Sequence, residues 1–258
     1  MIELIDIPLV KPVAEWIWGL EDAVTCLSEV PLLSAPCLSQ LFAKALGVVI
    51  IIASCLNKIP IMKNMVSAQS AAGISRNSLY GEALVYANSA LYGLLSGHPF
   101  TAYGENCSLL AQNAILVVLA WKFAAKQSPV KSQEKLLVAI FGVVYVGGIL
   151  KFLPEEHRHL LMSSTWPVLL YARGSQVFET YLAKHTGSLS IVTTTMNLVG
   201  SIIRILTTIK ETGDMVVISG YLLGGGLSLL MFLQYWLYLA KTTEISKAAE
   251  DSKKEKKE

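Results

Sequence analysis

Six polar residues interrupt otherwise apolar stretches of this 258-residue chain: Glu82, Asn88, Gln176, Asn197, Arg204 and Lys210. Charged and amide groups in such surroundings are costly unless partnered, so they are the first candidates for chemistry. Asn88 follows Glu82 by six residues, about 600° of helical rotation, so the two lie on different faces. A Glu and an Asn turned to one cavity would suit sugar hydroxyls, and the Glu could also take a coupling proton. The alternative is a structural hydrogen bond between helices. Gln176 could bind a hydroxyl or tie two helices together. Arg204 and Lys210 are six apart, and an Arg there can grip a phosphate with two hydrogen bonds. Alternatively both snorkel to the membrane interface beside Glu211 and Asp214. Catalytic patterns are missing. His157 and His159 flank Arg158, a poor setting for a cation, and no Gly-rich phosphate loop occurs. No metal, cofactor or enzymatic activity is expected.

These residues must be held by helices. Hydrophobic residues make up 53% of the chain and charged ones 16%, with a mean hydropathy of +0.52. Soluble chains average about 25% charge. Disorder is excluded by the apolar content. Four cysteines are too few for a disulfide scaffold. A net charge of +2 makes no basic field for nucleic acid. A multi-span membrane protein remains. Seven segments of about 20 residues are expected to cross: 39–57, 75–95, 103–121, 136–153, 160–179, 189–209 and 216–239. The third, fourth and last are the clearest. The second and fifth are weakened by Glu82, Asn88 and Ser89, and by Arg173, Ser175 and Gln176. Gly147-Gly148 and Gly224-Gly225-Gly226 are expected to allow close helix packing.

Residues 1–38 hold six acids and one base and no signal-peptide pattern. Ala14 to Leu27 reads as a surface-lying helix or a partly ordered tail. Basic residues cluster in alternate loops: Lys58, Lys63 and Arg76, then Lys122, Lys126, Lys131 and Lys135, then Lys184, then the tail. That alternation puts the N-terminus in the lumen and the C-terminus in the cytosol, with an odd number of spans. Lys254 and Lys256 stand fifth and third from the end and resemble an endoplasmic reticulum retrieval signal. Lys44 is expected to snorkel. Cys26 and Cys37 fall on the lumenal side and could pair in an oxidising compartment, whereas Cys55 reads as packing. Asn106-Cys107-Ser108 is a glycosylation sequon abutting a span.

Two halves align at an offset of about 115 residues. Lys58-Ile59-Pro60-Ile61 faces Arg173-Gly174-Ser175-Gln176, Ile74-Ser75 faces Leu189-Ser190, and Trp121 faces Trp236. Asn197 then takes the place of Glu82. A single span between two three-span units gives both the same orientation. Pro60 would hinge a moving helix, with Ser175 as a softer counterpart, or simply end the span before a loop.

A Pro-Gln pair at the end of a span, a basic loop and a Ser/Thr-x-Gly-Leu-Ser opening form the PQ-loop repeat, which this chain resembles over about residues 40–240. Pro60 is followed by Ile61, and Gln176 is preceded by Ser175, so neither repeat is complete. His185-Thr186-Gly187-Ser188-Leu189-Ser190, the run from Arg204 to Asp214, Gln69 to Ser75, and Gly97-His98-Pro99-Phe100 are similar to the mannose-P-dolichol utilization defect family. The resemblance implies an all-α membrane protein of seven transmembrane helices, with two parallel three-helix bundles joined by a linking helix. Its parts would be a lumenal segment 1–38, a first repeat 39–122, a linker 123–159, a second repeat 160–240 and a Lys-rich tail 241–258. It implies an endoplasmic reticulum protein needed for lumenal use of dolichol-phosphate-mannose and dolichol-phosphate-glucose. Those donors feed N-glycan precursors, glycolipid anchors and protein mannosylation. The partners would be dolichol-linked sugar phosphates, membrane lipid and lumenal glycosyltransferases. Two rivals stand beside it: a transporter of a sugar or cationic amino acid, and a non-transporting adaptor for glycosyltransferases.

Overall fold

A computed structural model describes Pro12 and residues 35–71, 74–124, 129–186 and 191–239. The surface helix expected within 14–27, the Gly187–Ser190 part of the second motif and the retrieval lysines Lys254 and Lys256 lie outside these residues.

Every regular element described is helical. In chain order they are α1 Ala35–Leu56, α2 Ile59–Ala68, α3 Arg76–Leu95, α4 Phe100–Lys122 and α5 Ser132–Phe152. A 3₁₀ turn Glu155–His157 leads to α6 His159–Ser163, α7 Thr165–Ala183, α8 Ile191–Glu211 and α9 Met215–Leu237. Six of the seven expected segments each fall on one long helix, the sixth from Ile191 onward, whereas the fifth, 160–179, takes in α6 and α7, which break at Ser164. By length and apolarity, three helical stretches among the described residues are fit to cross a membrane: Cys37–Ala68, Ser132–Phe152 and Met215–Leu237. The helix α4, expected among the clearest, is not one of them. Glu105, Gln112 and Asn113 dilute its apolar run.

Turn chemistry sets the helix ends. Ser75 caps α3, its hydroxyl accepting from the Ser78 N–H. Gly97, at φ 68°, closes α3, with His98 N–H donating to the Gly93 carbonyl, and Pro99 opens α4. Gly213, at φ 62°, ends the turn after α8, and Asp214 caps α9 by accepting from Val216 and Val217 N–H. The Gly-His-Pro and Thr-Gly-Asp motifs are therefore helix stop-and-start signals, whatever else they do.

The burial pattern is inverted. Of the four largest side chains that are essentially fully buried, three are polar: Asn113, Thr101 and Thr207. Outside, Val143 is 75% exposed and Phe152 74%. In water such a surface would aggregate. In a bilayer it is the solvent-facing surface, and the backbone bonds of helices are met internally. The chain is a helical membrane protein.

The described residues form two compact units. One runs to Leu161 and takes in Thr207–Gly213; the other holds Met162–Leu206 and the residues from Asp214 onward. In the first, α4 packs against α1, α2 and α3. Met65, Leu79, Leu116, Val117 and Ala120 make its core. Close approach depends on Gly93, where an added Cβ would come within 2.6 Å of Tyr103 Cβ. The helix α5 packs on α3 and has no buried residue. Gly147 and Gly148 meet nothing within 4 Å, so they do not serve close packing as expected. In the second unit α7 packs on α9, and Gly220, Gly224 and Gly225 of α9 lie against Trp166, Leu169 and Ser201.

Candidate functional site

The first unit contains the densest polar cluster, built at a break in a helix. The helix α1 ends at Leu56, Asn57 and Lys58 form a turn, and α2 starts at Ile59 with Pro60 in its first turn. Proline has no N–H and blocks an unbroken ladder there. The chain resumes as helix rather than entering the basic loop expected from Lys58 to Arg76. The second helix runs on to Ala68, and α3 starts at Arg76.

Gln112 of α4 repairs the break. Its Oε1 accepts from the Lys58 backbone N–H at 3.1 Å. Its Nε2 donates to the Ser54 carbonyl at 2.8 Å. In a continuous helix those two backbone groups would bond each other. Nε2 also lies 3.0 Å from Ser108 Oγ, one turn back on α4.

The Lys58 side chain turns inward. The residue is 7% exposed. Its ammonium pairs with Glu82 Oε2 and donates to Asn113 Oδ1 at 2.9 Å. The Tyr86 ring lies 5.2 Å away, within range of a cation–π contact. Asn113, 0% exposed, donates its own N–H to the Leu79 carbonyl at 2.6 Å. The Glu82 side chain remains 41% exposed. The cluster thus presents an accessible carboxylate backed by a buried cation and two fixed amides. Such a set accepts hydrogen bonds from hydroxyls at Glu82 and can bind an anion at Lys58 if Glu82 moves aside.

The other expected residues are spread out. Asn88 is buried and accepts from Tyr145 Oη at 2.8 Å, on the α5 side of α3. Glu82 and Asn88 therefore do face different neighbours. Gln176 is exposed on α7, and Ser175 donates back to the Ala172 carbonyl at 3.2 Å within an unbroken helix. The second repeat thus has no break to match Lys58. Asn197 is half-buried and its carbonyl accepts from Ser201 Oγ at 2.8 Å. Arg204 is buried at 6% exposure, whereas Lys210 is exposed. Glu211 accepts from Thr101 Oγ1 at 2.8 Å and lies within electrostatic reach of Lys44.

Sequence reasoning missed Gln112 and Asn113 and placed Lys58 in a loop. The available signal was Ser108-x-x-x-Gln112, a hydroxyl and an amide one turn apart inside an apolar helix. Cys37 is disulfide-bonded, with its partner outside the described residues, and Cys55 and Cys107 carry free thiols. Asn106 lies inside α4, not in a loop. Among the described residues no group of three His, Cys, Asp or Glu could hold a metal. No family model matches the chain.

Proposed function

We propose that this chain is a seven-span endoplasmic reticulum protein that presents or moves dolichol-phosphate-linked mannose and glucose for use in the lumen. It acts as a carrier or presenter, not an enzyme. The observation that carries the reading is the accessible Glu82 carboxylate on a buried Lys58, set among Gln112 and Asn113. Sugar hydroxyls bond the carboxylate and a phosphoryl oxygen exchanges with it at the ammonium. The site shelters a polar headgroup whose unaided passage through hydrocarbon is expensive. Motif resemblance supplies the dolichol identity. The disulfide at Cys37 supports an oxidising compartment at the start of α1. The four polar-dotted long helices, α3, α4, α7 and α8, complete the seven spans. Seven spans put the termini on opposite sides, and the internal alignment with the motif resemblance supports two three-helix bundles related by a pseudo-repeat.

The test is the dolichol-linked oligosaccharide profile of cells lacking the protein, with and without rescue. A stall where lumenal mannose and glucose donors first become necessary, with donor synthesis intact, is expected. A normal profile overturns the reading. One observation favours a second reading, a small-solute transporter: the spliced break at Lys58 has the form of the discontinuous helices that line transporter sites. Uptake of a soluble sugar or cationic amino acid into proteoliposomes, together with a normal oligosaccharide profile, would establish it instead.

A further inference from the structure

An apolar groove lies on the opposite side of α3 from Lys58. It has a volume of about 670 Å³ and is walled by α3, α4 and α5. That size falls in the range of ligand sites, about 300–1,000 Å³. Its lining runs from Tyr80 to Ala87 on α3, from Leu110 to Trp121 on α4 and from Leu137 to Val146 on α5. At 1.5 Å per residue the last two stretches are about 14–16 Å long. That is half of a hydrocarbon core of about 30 Å, the depth of one leaflet.

The chemistry differs between the ends and the wall. At one end Tyr145 Oη donates to Asn88, closing the groove. At the other, Trp121 Nε1 donates to Tyr80 Oη at 2.7 Å, and Tyr80 Oη donates to Glu134 at 2.8 Å. Arg76 Nε lies 3.2 Å from the same Glu134 carboxylate. Both tyrosine hydroxyls are engaged at the ends, so the wall between them offers carbon alone. Lys122, Lys131 and Lys135, all exposed, stand within a turn of Trp121 and Glu134. Counting Arg76 and subtracting Glu134, the rim is strongly positive. An interfacial Trp and Tyr with cations beside them is the setting of a lipid headgroup.

We infer that this groove seats one hydrocarbon chain of a single membrane lipid whose phosphate headgroup lies at the Arg76 rim. The inference rests on α3, α4 and α5 crossing the membrane, as in the function proposed above, but not on the lipid being dolichol. The length of the groove, its carbon wall and the charge at one end together select a phosphate-bearing lipid of one leaflet. A soluble anion would leave the apolar wall unfilled, and a hydrocarbon chain with no anionic headgroup would leave the cationic rim unmet.

The test uses the full chain reconstituted with a phosphatidylglycerol carrying a diazirine at the end of one acyl chain, and a matched phosphatidylcholine probe. Photolabel is expected on the groove-lining stretches of α3, α4 and α5, more from the glycerol lipid than from the choline lipid. Gly142→Leu fills the groove, and a Cβ there meets nothing within 4 Å. It should bring groove labelling by both probes to background. Ala114→Leu, on the facing wall, should do the same and keeps the test open if the first variant folds poorly. Arg76→Gln should remove the preference for the glycerol lipid and leave the choline probe unchanged. Label spread equally over α9, or unchanged by both filling variants, overturns the site. An unaltered preference in Arg76→Gln overturns the headgroup assignment. A stalled oligosaccharide profile alongside such a failure would leave the dolichol reading standing alone.

Discussion

The side-chain amide of Gln112 accepts the Lys58 backbone N–H and donates to Ser54, splicing a helix that Pro60 has broken. Without it the buried Lys58 N–H loses its partner, while the Ser54 carbonyl keeps the Asn57 N–H at 3.1 Å. Such a loss costs about 1–3 kcal/mol. Gln112→Leu should therefore lower stability by about 1–3 kcal/mol, read as a fall in thermal midpoint in detergent. Pro60→Ala in that background should recover part of the loss, because without the ring the helix can close over the break and return the Lys58 N–H to the Ser54 carbonyl. No recovery would show that the amide supports something other than the break.

Lys58 and Glu82 are a linked pair, and their variants should not add. Glu82→Gln removes the counter-charge of the buried ammonium, leaving it neutral acceptors and the Tyr86 ring, and should cost about 1–3 kcal/mol. Lys58→Met removes the charge that makes Glu82 necessary. The double variant should be less destabilised than the two single losses combined. Additive losses in thermal unfolding would mean that the pair contributes nothing as a pair.

The helices were legible because their signals are local. Helices of 20–23 residues start or stop at Ser75, the Gly97–Pro99 turn and Asp214, each of which acts within a turn of its own helix end. The site was only partly legible because its bonds are not local. Glu82 stood out as a charge inside a span, but its partner Lys58 is 24 residues away. Asn113 reaches Lys58 across 55 residues. A basic residue near a span end reads as topology unless a carboxylate is seen facing it. Gln112 and Asn113 were hidden for another reason: the apolar run from Ala114 to Ala120 dominates the average of α4. Arg204 and Lys210, six residues apart, lie on different faces of α8, one buried and the other exposed.

Gly93 is a packing position, and Gly142 is not. A methyl at 93 would meet Tyr103 Cβ at 2.6 Å and Cγ at 2.7 Å, atoms too near the backbone to swing away. Gly93→Ala should force α3 and α4 apart and cost about 1–3 kcal/mol. Gly142→Ala meets nothing and should be neutral or slightly stabilising, as alanine favours helix by about 1 kcal/mol. Equal behaviour of the two in detergent unfolding would contradict the close approach of α3 and α4.

The free thiols test whether α1 and α4 are immersed. Cys55 is exposed on the surface of α1, and Ser108 Oγ of α4 donates to its sulfur at 3.3 Å. In water an exposed thiol reacts readily, since reactivity follows access and thiolate formation. At membrane depth the same exposure faces hydrocarbon, where a charged maleimide does not enter and the thiolate does not form. In sealed vesicles of either orientation, Cys55 and Cys107 should resist a charged maleimide and become reactive after denaturation in detergent. The sequon at Asn106 should stay unglycosylated for the same reason, and Asn106→Gln should not change gel mobility. Rapid labelling of Cys55 in intact vesicles would bring that face of α1 into water. The Lys58 cluster, only three residues further on, would then lie in an aqueous cavity, and its ligand would be a soluble solute rather than a lipid headgroup.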